Sequence, residues 1–474
     1  MRQRLVLLPL LAVLTGGQCL AQDYQFKGGY PTPETIRQAY DDADLARAIQ
    51  AYKFFYPTVS FEGTWRGNLR GGAVANRIFP LLEGTPAQLV FTPNSDTPYS
   101  GLPLDLGAGP MVVELPPGPI MGAANDLNQR WVMDLGLPGP DAGKGGKHLF
   151  LPPGYSGEIP PGYHAAIPTT NRVLVLIRAI PPAGDNDAAN ALMKTVKVYP
   201  LNRPAGWTEP TWVRLTTGDF TPLQWETDLQ YWQVLHEVID AEPAYEAYRA
   251  YYGELAGLGI VKGQPFAPDD RMKAILEKAA KMANAQMRVQ SFADRRADRL
   301  AWPDRQWEWA TLRPENGTFD APTYKDLDAR AKWFYQAQVE SPAMFRRSPG
   351  AGSLYWLGTR DASGAFLDGA KSYRLVVPQP VPAGLFWSVT VYDAETRSEI
   401  STDQRHAALR SLFELKASTG ATAELHFGPT APASAESAWI KTIPGKGWFA
   451  YFRIYGPQAP AFDGRWKPGD ITAQ

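Results

Sequence analysis

Residues 448–455 read Trp-Phe-Ala-Tyr-Phe-Arg-Ile-Tyr. No helical stripe fits this run, but an alternation does. Successive side chains of a strand point to opposite faces. Ala450, Phe452 and Ile454 therefore form one face, and Tyr451, Arg453 and Tyr455 the other. Three upstream runs read the same way. Leu385–Tyr392 divides into Leu385, Trp387, Val389 and Val391 against Phe386, Ser388, Thr390 and Tyr392. Ala423–Phe427 sets Glu424 and His426 against its apolar set, and Tyr373–Val377 sets Arg374 against Tyr373, Leu375 and Val377. If the four strands share one sheet, Arg374, Ser388, Thr390, Tyr392, Glu424, His426, Tyr451, Arg453 and Tyr455 converge on its second surface. Solvated faces carry Lys, Thr and Glu more than Tyr with Arg, so this surface is expected to be covered by a ligand, by the helical middle of the chain or by a second subunit.

The same texture recurs towards the N-terminus. Gln88–Phe91, Met111–Leu115, Arg130–Leu135, His148–Leu151 and Arg172–Ile180 are short apolar runs punctuated by Pro and Gly, an antiparallel β signature. Val173–Ile177 is apolar throughout and reads as buried on both faces. In Trp131–Leu135, Asp134 opposes Trp131, Met133 and Leu135.

Helical periods occupy the rest. Thr32-Pro33-Glu34 is a helix start, and the residues to about Phe55 predict one or two amphipathic helices, with a break at Asp41-Asp42 and a stop at Pro57. Between about Pro222 and Val339 three more helical stripes follow. The fold class expected is mainly β with a helical middle region (α+β). Its parts are a signal peptide over 1–21, an N-terminal β domain with leading helices over 22–200, a helical linker or insertion over 201–345, and a C-terminal β domain over 346–474.

The leader reading rests on Arg2 and Arg4, the apolar Leu5–Leu14 and the small-x-small site Cys19-Leu20-Ala21. It predicts cleavage after Ala21, loss of the one cysteine, and a periplasmic or secreted protein without thiol chemistry. The 47 basic and 48 acidic side chains nearly balance and form no basic run, which argues against a nucleic-acid partner. No later segment is apolar enough to be membrane-spanning.

Motifs for chemistry are scarce. The five histidines show no metal spacing; His236-Glu237 is followed by Asp240 where a zinc-protease helix needs His. G-x-S-x-G, S-x-x-K, Walker A and G-x-G-x-x-G are all missing, and no metal or cofactor is called for. Three weak candidates stand. Pro138–Tyr155, PGPDAGKGGKHLFLPPGY, surrounds Lys144 and Lys147 with glycines: a tight connector, or a backbone cradle for an anion. Asn94, Asp96, Thr97 and Tyr99 read as a turn, or as a polar pocket rim in which Asp96 is a base or cation ligand. Asp134 is the nearest partner for Asp96, and two such carboxylates facing one cavity could hydrolyse a sugar bond.

The motifs also carry a resemblance. AYKFFYP (51–57), TPNSDTPYS (92–100) and GPDAGKGGKHLFLPPG (139–154) resemble one domain of unknown function, number 1254. SPAM (341–344), LFWSVTVYD (385–393), GKGW (445–448), RIYGP (453–457) and WKPGD (466–470) resemble another, number 1214. The chain is similar to exported, mostly bacterial proteins that pair the two. The resemblance implies two jelly-roll-like antiparallel β-sandwich domains and a homo-oligomer, and no reaction. Two functions are carried forward. The first is a protein binding a polar small molecule, a glycan or an envelope partner, through Lys144, Lys147, Tyr99, Arg374, Tyr392, Arg453 and Tyr455. The second is an envelope hydrolase for a glycan or ester, using Asp96, Asp134, Glu424 and His426.

Overall fold

The structure, a computed structural model, describes residues 24–82, 84–215, 226–313, 318–350, 352–416, 420–433 and 438–474. The leader expected over 1–21 lies outside them. The chain is mixed α+β, with two sandwich-like pairs of sheets and a helical layer.

In the N-terminal sandwich, a six-stranded sheet runs Thr211–Leu215, Ile78–Leu82, Tyr99–Asp105, Arg172–Ala179, Ile120–Asp126, Trp131–Gly136. It packs on a four-stranded sheet of Lys197–Pro200, Met111–Leu115, Gly146–Phe150 and His164–Ala166. Alternation divides the larger sheet. Leu102, Leu104, Ile120, Leu135, Val173, Val175 and Ile177 face the sandwich core. Leu174, Leu176 and Ala123 face the other way, against Phe61, Trp65 and Met344. This second packing surface is why Val173–Ile177 is apolar at every position.

The C-terminal sandwich has a five-stranded sheet, Glu308–Trp309, Ser353–Gly358, Trp448–Pro457, Ala383–Asp393, Ala408–Arg410, and a four-stranded sheet, Trp439–Lys441, Thr422–Gly428, Tyr373–Pro378, Thr472–Ala473. The inward set predicted for each strand forms the core, Tyr373, Leu375, Trp387, Val389, Leu425, Phe427, Phe452 and Ile454 among it, except Leu385, which is exposed beside an irregularity in the ladder between Ala383 and Phe386. The expectation of one shared sheet is corrected. Tyr373–Pro378 and Thr422–Gly428 pair with each other, whereas Ala383–Asp393 and Trp448–Pro457 pair in the opposing sheet. The inner faces meet, so the outer faces diverge. Arg374, Glu424 and His426 are on one side of the domain, and Tyr392, Tyr451, Arg453 and Tyr455 on the other.

The helical layer differs from expectation in one respect. Pro33–Arg70 is a single helix of 38 residues, capped by the Thr32 hydroxyl accepting the Thr35 amide at 3.2 Å. It does not break at Asp41-Asp42, where Asp41 and Asp44 pair with Arg271 of the helix Asp270–Phe292. Nor does it stop at Pro57. A mid-helix proline costs about 3 kcal/mol, but the aromatic run before it and Val59, Phe61 and Trp65 after it are all buried, each large side chain gaining about 1.5–3 kcal/mol. The helices Leu229–Ala241, Asp270–Phe292 and Leu327–Gln336 pack beside it. Gln88–Phe91, expected as a strand, forms none: the chain is irregular from Leu89 to Pro98. Its backbone is held from the side, with the Thr92 amide donating to Arg397 O and the Ser398 hydroxyl to Val90 O.

Candidate functional site

The outer face of the six-stranded sheet and the outer face of the five-stranded sheet turn towards each other, and between them lies a cavity of about 220 Å³. Its floor is Tyr99, Gly101, Met121, Ala123, Leu174 and Leu176 from one sheet; Ser353, Tyr355 and Tyr451 come from the other. Phe61 of the long helix, Val90–Asn94 and the segment Trp333–Met344 close its sides. The lining is mostly apolar, and its charged groups are few: Arg178, Arg453 and Asp134.

The two arginines define a polar pole. Arg178 ends the row Leu174, Leu176, Arg178 on its strand, and the Arg178 Nη1 donates to the hydroxyls of Tyr99 (2.9 Å) and Tyr455 (3.4 Å). Asn94 Nδ2 donates to the same two hydroxyls at 2.6 and 3.1 Å, and its Oδ1, accepting the Asp96 amide, fixes the amide's orientation. Tyr455 then donates to Asp96 Oδ2 at 3.0 Å, where Ser388 also donates at 2.9 Å. Tyr99 accepts twice, which leaves its own proton available. Arg453, 3% exposed, donates to Thr390 Oγ1 and to Thr92 O, and its buried Nε has no partner. The rings of Tyr355, Tyr392 and Tyr451 lie 5.0–5.7 Å from its guanidinium.

The charges do not cancel. Buried Arg397 pairs with Glu226, and Arg410 with Glu414. Among the described residues, Arg178 and Arg453 form no ion pair with a carboxylate. The nearest carboxyl group, Asp96, is reached through the Tyr455 hydroxyl and not by direct contact. Glu399 is close but buried, with neither oxygen hydrogen-bonded, and burial pushes its carboxyl up to about 8 against the pull of Arg453. Two guanidiniums therefore lie in a water-poor site with no carboxylate in direct contact among the described residues, an arrangement that favours an added negative charge. Strain gathers here too. Thr92 (φ 37°) and Val339 (φ 70°) are non-glycine residues in the left-handed region, the second β-branched, and both line the cavity. Each such residue costs on the order of 1–3 kcal/mol and persists where the surroundings impose it.

Of the residues singled out in the sequence, Asp96, Tyr99, Tyr392, Arg453 and Tyr455 meet at this pole. The Tyr392 hydroxyl donates to Pro93 O at 2.5 Å. Asp134 lines the same cavity elsewhere. The others do not join them. Arg374 pairs with Glu424 at 3.5 Å on the exposed side of the four-stranded C-terminal sheet, and His426 sits across from Arg374 in the ladder. The acid–base set Asp96, Asp134, Glu424 and His426 is thus split by a whole sandwich. Lys144 and Lys147 are exposed at the edge of the N-terminal sandwich. The Lys144 amide donates to Asp141 O, Gly118 N donates to Gly143 O, and Gly146 and Lys147 lie in the β ladder. Arg178 and Glu399 went unremarked in the sequence. The signal for Arg178 was present: with Arg172 it is one of two charges that end an outward row whose middle, Leu174 and Leu176, is apolar.

Fold and site together define a protein of two β-sandwiches with a ligand-sized cavity walled by both. Residues 77–200 match the family described as "Protein of unknown function (DUF1254)" and residues 352–459 the one described as "Protein of unknown function (DUF1214)". The chain carries these two domains, the first N-terminal and the second C-terminal. Among solved structures, the VPA0106 protein from Vibrio parahaemolyticus is similar over 91% of this chain and 100% of its own, at 18% identity and a TM-score of 0.57, a likeness of fold. A putative uncharacterized protein from Burkholderia cenocepacia aligns over 92% of this chain and 96% of its own, at 12% identity and a TM-score of 0.39. Among curated proteins no match was found.

Proposed function

We propose that this protein binds a small amphipathic anion between its two sandwiches, with a carboxylate or similar oxyanion at the Arg178–Arg453 pole and an apolar body over Leu174, Leu176 and Ala123. One observation carries the reading: two guanidiniums at the end of a mostly apolar cavity, neither with a carboxylate partner. A buried cation without a counter-charge is costly, and a ligand oxyanion supplies one. Planar guanidinium is also the group best matched to a carboxylate. The ligand is then less polar than the small molecule or glycan that the candidate residues suggested. The leader-like stretch Met1–Ala21 supports export, with binding in the periplasm or outside the cell.

Octanoate, octanol and octylamine form a matched test by calorimetry. Octanoate is expected to bind and to raise Tm by mass action, and the alcohol and amine are not. Arg178→Met keeps the volume and removes the charge, and is expected to lose octanoate binding by at least about tenfold, the scale of a hydrogen bond to a charged group. Equal binding of all three compounds, or of octanoate to both proteins, would overturn the proposal.

A further inference from the structure

The opposite end of the cavity carries a carboxyl group that the chain satisfies only in part: Ser341, the Ala343 backbone and Trp131 hydrogen-bond to Asp134, and one of its oxygens is left over. Asp134 lines the cavity, is 7% exposed, and has a buried Oδ1 without a hydrogen-bond partner. Among the described residues it forms no ion pair. Alternation explains its presence. Leu135 is in the sandwich core, so its neighbour must point outward, into the space between the sandwiches. An aliphatic residue would fill that place at no electrostatic cost, as Ala123 does beside it.

Its position relative to the pole follows from the register. Asp134 is opposite Ala123, and Ala123 opposite Leu176. Asp134 is therefore two strands across and two residues along from Arg178. At about 4.8 Å per strand and about 3.3 Å per residue, the two Cα atoms are about 12 Å apart. A ligand that extends across the floor from the arginines meets this carboxyl at its far end. A methyl group arriving there would desolvate the carboxyl further without satisfying it, whereas a hydroxyl or an ammonium would supply the missing donor.

We infer that the ligand is bifunctional: an oxyanion at Arg178 and Arg453, an apolar span over Ala123 and Leu176, and a hydrogen-bond donor at Asp134. This rests on the anion-binding reading above and adds the class of ligand. An ω-hydroxy or ω-amino carboxylate of about this length fits.

The full mature chain is titrated with octanoate and with its terminally hydroxylated and terminally aminated analogues. The variants are Asp134→Leu, which removes the acceptor at similar volume, and Asp134→Asn, which keeps an acceptor and loses the charge. Wild type is expected to prefer at least one substituted acid over octanoate by about tenfold. Asp134→Leu should reverse that preference while still binding octanoate, which also shows that it is folded. Retention of the hydroxyl preference in Asp134→Asn identifies a neutral donor; loss of an amino preference there identifies a cation. Octanoate bound as tightly as both analogues by wild type, or a preference that survives in Asp134→Leu, overturns the bifunctional ligand and leaves the anion site standing. Failure of every acid to bind wild type removes both.

Discussion

Glu399 shows how the site ties function to pH. An unfolded glutamate titrates near ~4.3, whereas burial holds this one up to about 8. Between those values the folded chain carries a proton that the unfolded chain has released, so stability falls as pH rises, by up to about 1.4 kcal/mol per pH unit. Asp134, which burial pushes up to about 6, and Glu340, also raised by burial, act in the same direction. Glu399→Gln is expected to flatten part of the decline in urea-unfolding free energy between about pH 5 and 8. An unchanged slope would mean that Glu399 is ionised in the folded protein and supplies the arginine pole with a negative charge.

At the scale of elements, the cavity exists because the outward row of the six-stranded sheet is built from small residues where the sandwiches face each other. Gly101 and Ala123 flank Leu176 in the ladder, so the floor is low between larger side chains. Ala123→Leu adds three heavy atoms there and none to the sandwich core. It is expected to abolish octanoate binding while lowering stability by less than about 3 kcal/mol, the scale of overpacking. Calorimetry and urea unfolding on the same preparation separate the two effects. A variant that still binds would place the ligand elsewhere. The helix Leu327–Gln336 is the other element that shapes the site. It is buried from Ala329 to Gln336, and Gln336 accepts from Thr92 through its carbonyl and from Tyr451 through its side chain, joining loop, helix and sheet.

For the whole molecule, the two sandwiches are not independent beads. The outer face of the five-stranded sheet buries Tyr392, Tyr451, Arg453 and Tyr455, and the partners that cover it come from elsewhere in the chain: Pro93, Thr92, Gln336, Asn94 and Asp96. A fragment of residues 352–474 would present those tyrosines and an unpaired guanidinium to water. It is expected to aggregate or to bind an apolar dye, while the intact chain unfolds in one calorimetric transition. A soluble, cooperatively folding fragment would show that the interface is only an accessory to the C-terminal sandwich.

What the sequence alone determined is local. Strand periodicity sorted the side chains of Trp448–Tyr455 and Phe386–Tyr392 correctly into core and outer face, because alternation depends only on the pleat; it failed at Leu385, which is exposed where the ladder is irregular. The cap at Thr32 and the helical stripes were legible for the same reason. The motifs identified both domains. Three matters were decided by tertiary contacts. Sheet membership was one: alternation does not tell which strands pair, so Arg374, Glu424 and His426 were grouped with Arg453 although a sandwich core separates them. Helix continuity through Pro57 was another, since the burial that offsets a mid-helix proline comes from residues distant in sequence. The third was the site. Arg178 and Arg453 are 275 positions apart, and neither strand by itself shows that the two meet. What marks them is a carboxylate that is not there, and a missing partner is visible only once the chain has folded and every neighbour has been placed.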